Sequence, residues 1–335
     1  MLPLARMPTL DQNSRGPEVQ ALQRALTKLG WPLVDDGVFG PKTLAAVQGY
    51  AGKRTATSAP DWLVAAISGE ARTQPVPATA AAKIRSIGAW AGTRALREPG
   101  PAVELAVRTK LQRIDIVVND HSAARSPRKF DTHSVAKIEA LAQRARDAGL
   151  EVHVTSWLMP HKAYISEAAA QLVPLCSKIG ASSLQWDAEE PWTLAQQAMD
   201  RREAAAWLHE RFTGLSCPMG ANAIGFASVE KFGPLAEICD YVVPQAYATN
   251  TSKIAPEAAP PRFHDRYAKL FERPIAMGLA AYGQSGIAGH TPASAVRAAI
   301  DATAALGDVD TIIFWSLDWL RQSETVARAV AESRG

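Results

Sequence analysis

The chain reads RIDIVVND at 113–120, THSVAKIEALAQRARDAG at 132–149 and LEVHVTSWL at 150–158. The outer two segments are short apolar runs that suit strands. The middle one has apolar residues at i, i+3 and i+4, a Thr or Ser to cap its start and Gly149 at its end, the pattern of an amphipathic helix. Strand, helix and strand thus follow in direct succession, and the alternation recurs on both sides. Further strand-like runs are IRSIGAW (84–90), SSLQWDAEE (182–190), CPMGANAI (217–224), YVVPQAY (241–247), RPIAMGLAAY (273–282) and DTIIFWSLD (310–318). Helical stretches separate them. In TPASAVRAAIDATAALG, Thr291 is placed as the cap, Pro292 as the first helical residue and Gly307 as the stop.

Eight such units over about 250 residues predict an α/β chain whose main domain is a (β/α)8 TIM barrel. An open doubly wound sheet is the rival. Against it, no G-x-G-x-x-G follows the first strand, and one short helix is expected after the last, as closure requires. In a barrel the chemistry belongs to the C-terminal strand ends. Those ends carry Trp90, Asn119, Asp120, Trp157, Asp187, Glu189, Asn222, Gln245, Tyr247, Tyr282, Trp315 and Asp318. Tryptophans beside carboxylates suit a carbohydrate cleft, because an aromatic face covers the apolar C–H face of a sugar while carboxylates and amides bind its hydroxyls. The candidate substrate-binding residues are Gln185, Gln245, Trp90, Trp157, Trp315, Tyr282 and Asn222.

The stretch LQWDAEEPW (184–192) sets three carboxylates between two tryptophans. Strand alternation puts Gln185, Asp187 and Glu189 on one side, and Trp186, Ala188 and Glu190 on the other. Two carboxylates of one parity then share the barrel mouth, and their repulsion keeps one protonated near neutrality. Glu189, nearer the strand end and longer, is expected as the general acid of glycosidic cleavage. Asp187 is expected to stay ionised, orienting substrate or stabilising positive charge. Glu190 reads as a helix-terminal or surface group, and Asn119, Asp120 and His121 as a polar turn.

Q-W-D-A-E resembles the fourth-strand D-x-D-x-E signature of chitinase-type glycoside hydrolases, with Gln185 in place of the first Asp. Its D-x-E part also resembles the fourth strand of Chalaropsis-type lysozymes. PQAY on the sixth strand is similar to the Q/M-x-Y element of the chitinase type, and FWSLD on the eighth to its last-strand Trp. The resemblance covers strand ends rather than the whole barrel. It implies that the substrate's own acetamido group attacks the anomeric carbon, that Asp187 and Tyr247 hold this group, and that Glu189 protonates the leaving group. A lysozyme-like scheme with Asp318 as a further catalytic carboxylate stays open.

Composition removes several other classes. The 335 residues are 47% hydrophobic and 21% charged, ordinary for a globular chain, and the formal net charge is +3 with no dense Lys/Arg block. No nucleic-acid partner is expected, although the balance suits an anionic polymer such as a cell wall. No apolar run approaches a membrane span, so no membrane insertion is expected. Cys176, Cys217 and Cys239 show no CxxC spacing and read as buried reduced thiols. The seven histidines make no H-x-x-x-H or H-E-x-x-H pair, and no G-x-S-x-G is present. No metal or cofactor is expected.

The N-terminal part is a different kind of sequence. Val19, Leu22, Leu26 and Leu29 make an apolar helical stripe after Pro17, with Gly30 as its stop; Asp36-Gly37 makes a turn; Thr43 to Tyr50 begins a second helix. Pro60 to Ser68 suits a third. SRGPEVQALQRAL, LG, DDGVFGPKT and AAV together closely resemble the three-helix type of peptidoglycan-binding module, with Tyr50-Ala51 where that family has Phe-Gln. The resemblance implies that Asp36, Gly37, Phe39, Gly40 and Thr43 line a shallow groove for muropeptide. The expected organisation is a binding module at 1–69, a Pro/Ala/Thr-rich linker at 70–82 and the barrel at 83–335. The arrangement resembles the modular endolysins of phages of Gram-negative bacteria. MLPLARMPTL at the N-terminus is too short and too broken by Pro and Arg for a signal peptide, so a monomer made in the cytoplasm is expected. The resemblance implies release by a holin and action on bacterial peptidoglycan as a muramidase or, second, an N-acetylglucosaminidase, with a non-catalytic glycan-binding barrel as the third reading.

Overall fold

The computed structural model describes residues 10–11, 14–28, 33–50, 58–59, 84–119, 129–189, 192, 199–224, 229–249 and 252–333. The chain divides into two units, Met1–Ala78 and Thr79–Gly335. The expected helix at 60–68, the linker at 70–82, Gly30, the Tyr50 side chain, Asp120, His121 and Glu190 lie outside the described residues.

In the first unit a short antiparallel pair, β1 (Leu10–Asp11) with β2 (Ser58–Ala59), accompanies two helices, Pro17–Lys28 and Pro41–Tyr50. Val19, Leu22, Leu26, Phe39, Ala46 and Val47 fill the core between them, so the helical stripe seen in the sequence is the buried face. Gln23 is the polar pivot. Its Nε2 donates to Asp36 Oδ1 at 2.8 Å, to the Val38 carbonyl at 3.0 Å and to Thr43 Oγ1 at 3.1 Å, while its Oε1 accepts from the Gly37 N–H at 2.9 Å. One amide therefore holds the turn, which needs glycine at 37 because φ there is +70°.

The second unit is a closed barrel of eight parallel strands. They are β3 (Ser86–Ala91), β4 (Arg113–Val117), β5 (Glu151–Trp157), β6 (Leu184–Asp187), β7 (Met219–Ile224), β8 (Tyr241–Gln245), β9 (Met277–Ala280) and β10 (Thr311–Trp315). β10 pairs with β3 from Thr311↔Ser86 to Phe314↔Ala89, which closes the ring. Helices intervene, among them Pro99–Arg108, Val135–Asp147, Lys162–Lys178, Arg201–Arg211 and Pro292–Ala304. The last of these begins as expected, with a capping box between Thr291 and Ser294 and Pro292 in its first turn. Two helices, Leu317–Gln322 and Glu324–Glu332, follow β10 where the sequence suggested one, because Ser323 stops the first and caps the second. All three cysteines are free; Cys176 and Cys239 are buried and Cys217 is half-buried. Among the described residues no helix is long and apolar enough to cross a membrane.

Strand alternation sorts the barrel into two cores. Outward residues such as Ile114, Ile116, Val152, Val154, Leu184 and Trp186 pack under the helices. Trp90, Val117, Val243, Ala276 and Ile313 form a separate cluster inside. Below that cluster lies a buried polar layer: Arg113 pairs with Asp115 (Nε–Oδ2 2.9 Å), His153 Nδ1 meets Ser183 Oγ at 2.7 Å, and Ser183 Oγ meets the Tyr241 hydroxyl at 2.8 Å. Burial, and then the Arg113 charge, lowers the His153 pKa, so His153 is neutral in this layer. The large side chains fit because glycines oppose them. Gly88 faces Arg113, Gly220 faces the Tyr241 ring, and a Cβ at Gly278 would meet Trp90 Cη2 at 3.3 Å. Gly220→Ala would drive a methyl group into the Tyr241 ring. It is expected to lower barrel stability by about 1–3 kcal/mol, read as an earlier denaturant midpoint, whereas Gly100→Ala, in the first turn of a helix and meeting no atom within 4 Å, should leave the midpoint in place or raise it slightly.

Candidate active site

β6 ends at Asp187, and Glu189 lies two residues beyond. Trp186 and Ala188 join the outer core, while Asp187 and Glu189 both turn to the amide of Gln245, the last residue of β8. Gln245 Nε2 lies 2.7 Å from Glu189 Oε1 and 3.4 Å from Asp187 Oδ1. The first is a short hydrogen bond; the second is long and weak.

The two carboxylates sit in different surroundings. Asp187 is only 3% exposed, whereas Glu189 is half-buried. Burial first, and the neighbouring Glu189 charge second, raises the Asp187 carboxyl well above its ordinary value near 3.8. This corrects the expectation that Asp187 is the ionised partner. The sequence correctly paired two like charges but could not say which one loses its water, and it is loss of water that decides where the proton rests. Tyr247, two residues past Gln245, is also affected: desolvation, then Asp187 and Glu189, pushes its phenol far above the usual range and keeps it a hydrogen-bond donor.

A polar shelf lies under the pair. Gln185 Oε1 accepts from Trp90 Nε1 at 3.0 Å and from Asn222 Nδ2 at 3.2 Å, and Trp90 Nε1 also reaches Thr155 Oγ1 at 3.1 Å. Trp90, Gln185 and Asn222 are buried. The expectation that these three touch substrate is therefore corrected: they lie in the closed interior, joined to one another through Gln185, with Asn222 beside Asp187 in the β6–β7 register. Asn222 Oδ1 and Gln245 Oε1 are buried acceptors without a hydrogen-bond partner among the described residues. Asn119, read as part of a polar turn, is a buried brace. Its Oδ1 accepts from the Trp157 N–H at 2.8 Å and its Nδ2 donates to the Tyr164 hydroxyl at 2.9 Å.

The aromatic residues at the neighbouring strand ends keep exposed surface. Trp157 is half-buried and in register with Asp187. Trp315 is half-buried, its ring centroid 5.7 Å from that of Trp90. Tyr247 meets Tyr282 edge to face at 6.1 Å. Tyr282 in turn stacks on Trp319, a residue that sequence reasoning missed. The available signal was its place one residue after Asp318, just past a strand end. Thr155 was missed as well, although the alternation of β5 puts it on the inward side with His153 and Trp157.

Asp318 does not join the pair. It occupies the first turn of the helix Leu317–Gln322. Burial raises its pKa, against the opposing charges of Arg94, Arg321 and Arg97. Its electrostatic neighbours are thus the arginines after β3 and on its own helix, which corrects its placement with Asp187 and Glu189. Among the described residues, no group of three or more His, Cys, Asp or Glu side chains could hold a metal ion.

In the N-terminal unit, Phe39 is fully buried in the core and Thr43 is buried against Gln23, so neither side chain lines a surface groove as expected. Gly37 is buried too, and serves the turn. Asp36 is exposed and Gly40 half-buried. The Gln23 hydrogen bond, then the Val38 N–H, holds the Asp36 carboxyl below its usual range.

Residues 18–81 match the family described as "Predicted Peptidoglycan domain". No curated protein matches the chain. Among solved structures, the chain resembles the GH5_18 protein from Streptomyces cattleya in complex with GlcNAc, with 15% identity, 76% of this chain and 80% of that chain covered, and a TM-score of 0.57. A GH113 β-1,4-mannanase complex shows 10% identity, covers 75% and 98%, and has a TM-score of 0.53. A family 18 chitinase from Crocus vernus shows 12% identity, covers 74% and 98%, and has a TM-score of 0.51. At these identities the likeness is one of fold, a (β/α)8 barrel.

The Asp187 environment has a thermodynamic consequence. A raised folded-state pKa means that the folded chain keeps a proton which the unfolded chain has already released, so stability falls as pH rises from about 4 toward the raised value. Asp187→Asn removes that loss. Denaturant unfolding should find the variant gaining on the native chain as pH rises from 4 to 7, with little difference at pH 4.

Proposed function

We propose that this chain is a peptidoglycan hydrolase, with a wall-binding module ahead of a barrel that cleaves β-1,4 bonds of the glycan backbone as a muramidase. The observation that carries the reading is the Asp187–Gln245–Glu189 arrangement. Two carboxylates of unequal burial meet one amide at one strand end, with the half-buried Trp157 in register beside them. The peptidoglycan-domain match at 18–81 supports the choice of polymer.

In this mechanism Asp187 holds the proton while the site is empty. With glycan in place, the proton passes to Glu189, which delivers it to the glycosidic oxygen as the bond breaks. The acetamido oxygen of the sugar on the other side attacks the anomeric carbon and forms a cyclic oxazolinium ion. Asp187, now an anion, balances the positive charge on that group, and the Tyr247 hydroxyl donates a hydrogen bond to it. Glu189 then takes a proton from the incoming water, whose oxygen opens the ring from the face the leaving group left. Configuration at the anomeric carbon is retained. Asp318, set apart among arginines, has no role as a nucleophile in this scheme.

Both sugars of the wall carry an acetamido group, so the same chemistry would serve an N-acetylglucosaminidase, and the residue at the new reducing end separates the two. The biological setting that fits is a monomeric phage endolysin, made in the cytoplasm and acting on the periplasmic wall after holin release. The test is mass spectrometry of borohydride-reduced sacculus digests. Reduced N-acetylmuramic acid ends support the muramidase, and reduced N-acetylglucosamine ends the alternative. New amino groups without reducing ends contradict glycan cleavage altogether. Glu189→Gln should lower the yield of reducing ends by roughly a hundredfold or more, and undiminished lysis by that variant would leave a barrel whose carboxylates are not catalytic.

A further inference from the structure

The chemistry described above accounts for Tyr247 but leaves the rings beyond it without a task. Tyr247 meets Tyr282 edge to face, and Tyr282 stacks on Trp319 with centroids 5.4 Å apart and planes 26° apart. The three rings form a contacting series that starts at Tyr247, which feels both carboxylates, and ends at the surface: Trp319 is 39% exposed. The other exposed large hydrophobics among the described residues, Val34, Val107, Val135 and Leu270, are all aliphatic. Such scattered residues need no special explanation. An indole stacked on a tyrosine yet 39% exposed, at the end of a ring series that starts beside an acid pair, is a different arrangement.

The platform is also braced. Tyr282 follows Ala281, whose N–H donates to the Trp315 carbonyl at 2.9 Å and so ties the loop after β9 to the end of β10. Buried Gln284 donates to the Ala280 carbonyl at 2.8 Å across the same loop. The Trp319 N–H donates to the Ser316 carbonyl at 3.0 Å at the start of its helix. Both rings therefore hang from backbone fastened to adjacent strand ends, which keeps the stack in place before any ligand arrives. Burial, then the Glu189 charge, raises the Tyr282 phenol, so the middle ring of the series also lies within the field of the proposed acid.

We propose that Trp319, backed by Tyr282, is a sugar-binding platform that holds a pyranose ring of the glycan strand away from the point of cleavage and makes the enzyme favour long strands over short fragments. The occupant is the apolar C–H face of a β-1,4-linked sugar; a flat indole backed by a second ring offers it a rigid, apolar and polarisable surface at low entropic cost. The proposal rests on the glycan-hydrolase reading for its substrate, but not on which bond is cut.

The test uses the full chain and peptide-free glycan strands of alternating N-acetylglucosamine and N-acetylmuramic acid, two to eight sugars long. Binding is measured in the Glu189→Gln background, where strands are not consumed, and cleavage in the otherwise native chain. Trp319→Ala should weaken binding of the longest strands roughly tenfold, more than that of the shortest, and raise KM for long strands more than it lowers kcat. Trp319→Phe, which keeps a ring on Tyr282, should recover much of the loss. Equal affinity of native and Ala variants at every length, or no binding of any strand, overturns the platform. A length-dependent loss at position 319 in a chain that cleaves no strand keeps the platform and removes the hydrolase. Normal cleavage with no effect at position 319 does the reverse.

Discussion

Asp187 and Glu189 face the same amide of Gln245, and the barrel has to keep them together against their own repulsion. It does so by treating them unequally. Asp187 is pressed into the closed interior beside Asn222, where charge is costly, and Glu189 stands half-buried above it. A proton on the lower carboxyl relieves both the repulsion and the cost of burial. Almost every other feature of the second unit serves this arrangement. Closure of β10 on β3 fixes the diameter, the inner cluster around Trp90 fills the middle, and the Arg113–Asp115 layer seals the bottom.

The arrangement costs stability, and the sequence shows where it is offset. Glycines at 88, 220 and 278 lie inside the barrel opposite Arg113, Tyr241 and Trp90, which replaces many small contacts by a few large, hydrogen-bonded side chains. Gln185 accepts from Trp90 and Asn222 at once, so the shelf beneath Asp187 is held by directional bonds as well as by packing. A site floor built this way is stiff, and stiffness is what a proton shared over short distances requires. In the first unit Gln23 plays a comparable part on a smaller scale, one amide fixing the turn at 36–38 and the side chain of Thr43.

The fold was legible because its signal is periodic. Alternation within strands and the 3.6-residue stripe between them survive without tertiary information, and the barrel strands fall within the runs read from sequence, apart from the final Ala91 of β3. The parity of Asp187 and Glu189 was legible for the same reason. Depth was not. Trp90, Gln185 and Asn222 lie at strand positions that look like a rim, yet barrel curvature buries them, and Phe39 and Thr43 belong to a motif that reads as a groove but packs as a core and a brace. The upward shift of the Asp187 carboxyl depends first on its loss of water, which no spacing encodes. Trp319 escaped notice because it follows the last strand end by four residues, within a helix, and its stacking on Tyr282 joins that helix to the loop after β9.

The central claim is that one carboxylic acid of the barrel stays protonated where ordinary carboxylates have long since ionised, and that it is Asp187. Infrared difference spectroscopy of the full chain, titrated from acid to neutral pH, measures this directly. The account predicts a carbonyl stretch of a protonated carboxyl group that persists after those of ordinary carboxyl groups have gone and is missing from Asp187→Asn. A native spectrum in which every carboxyl band is lost over the ordinary carboxylate range, identical to that of the variant, would contradict it.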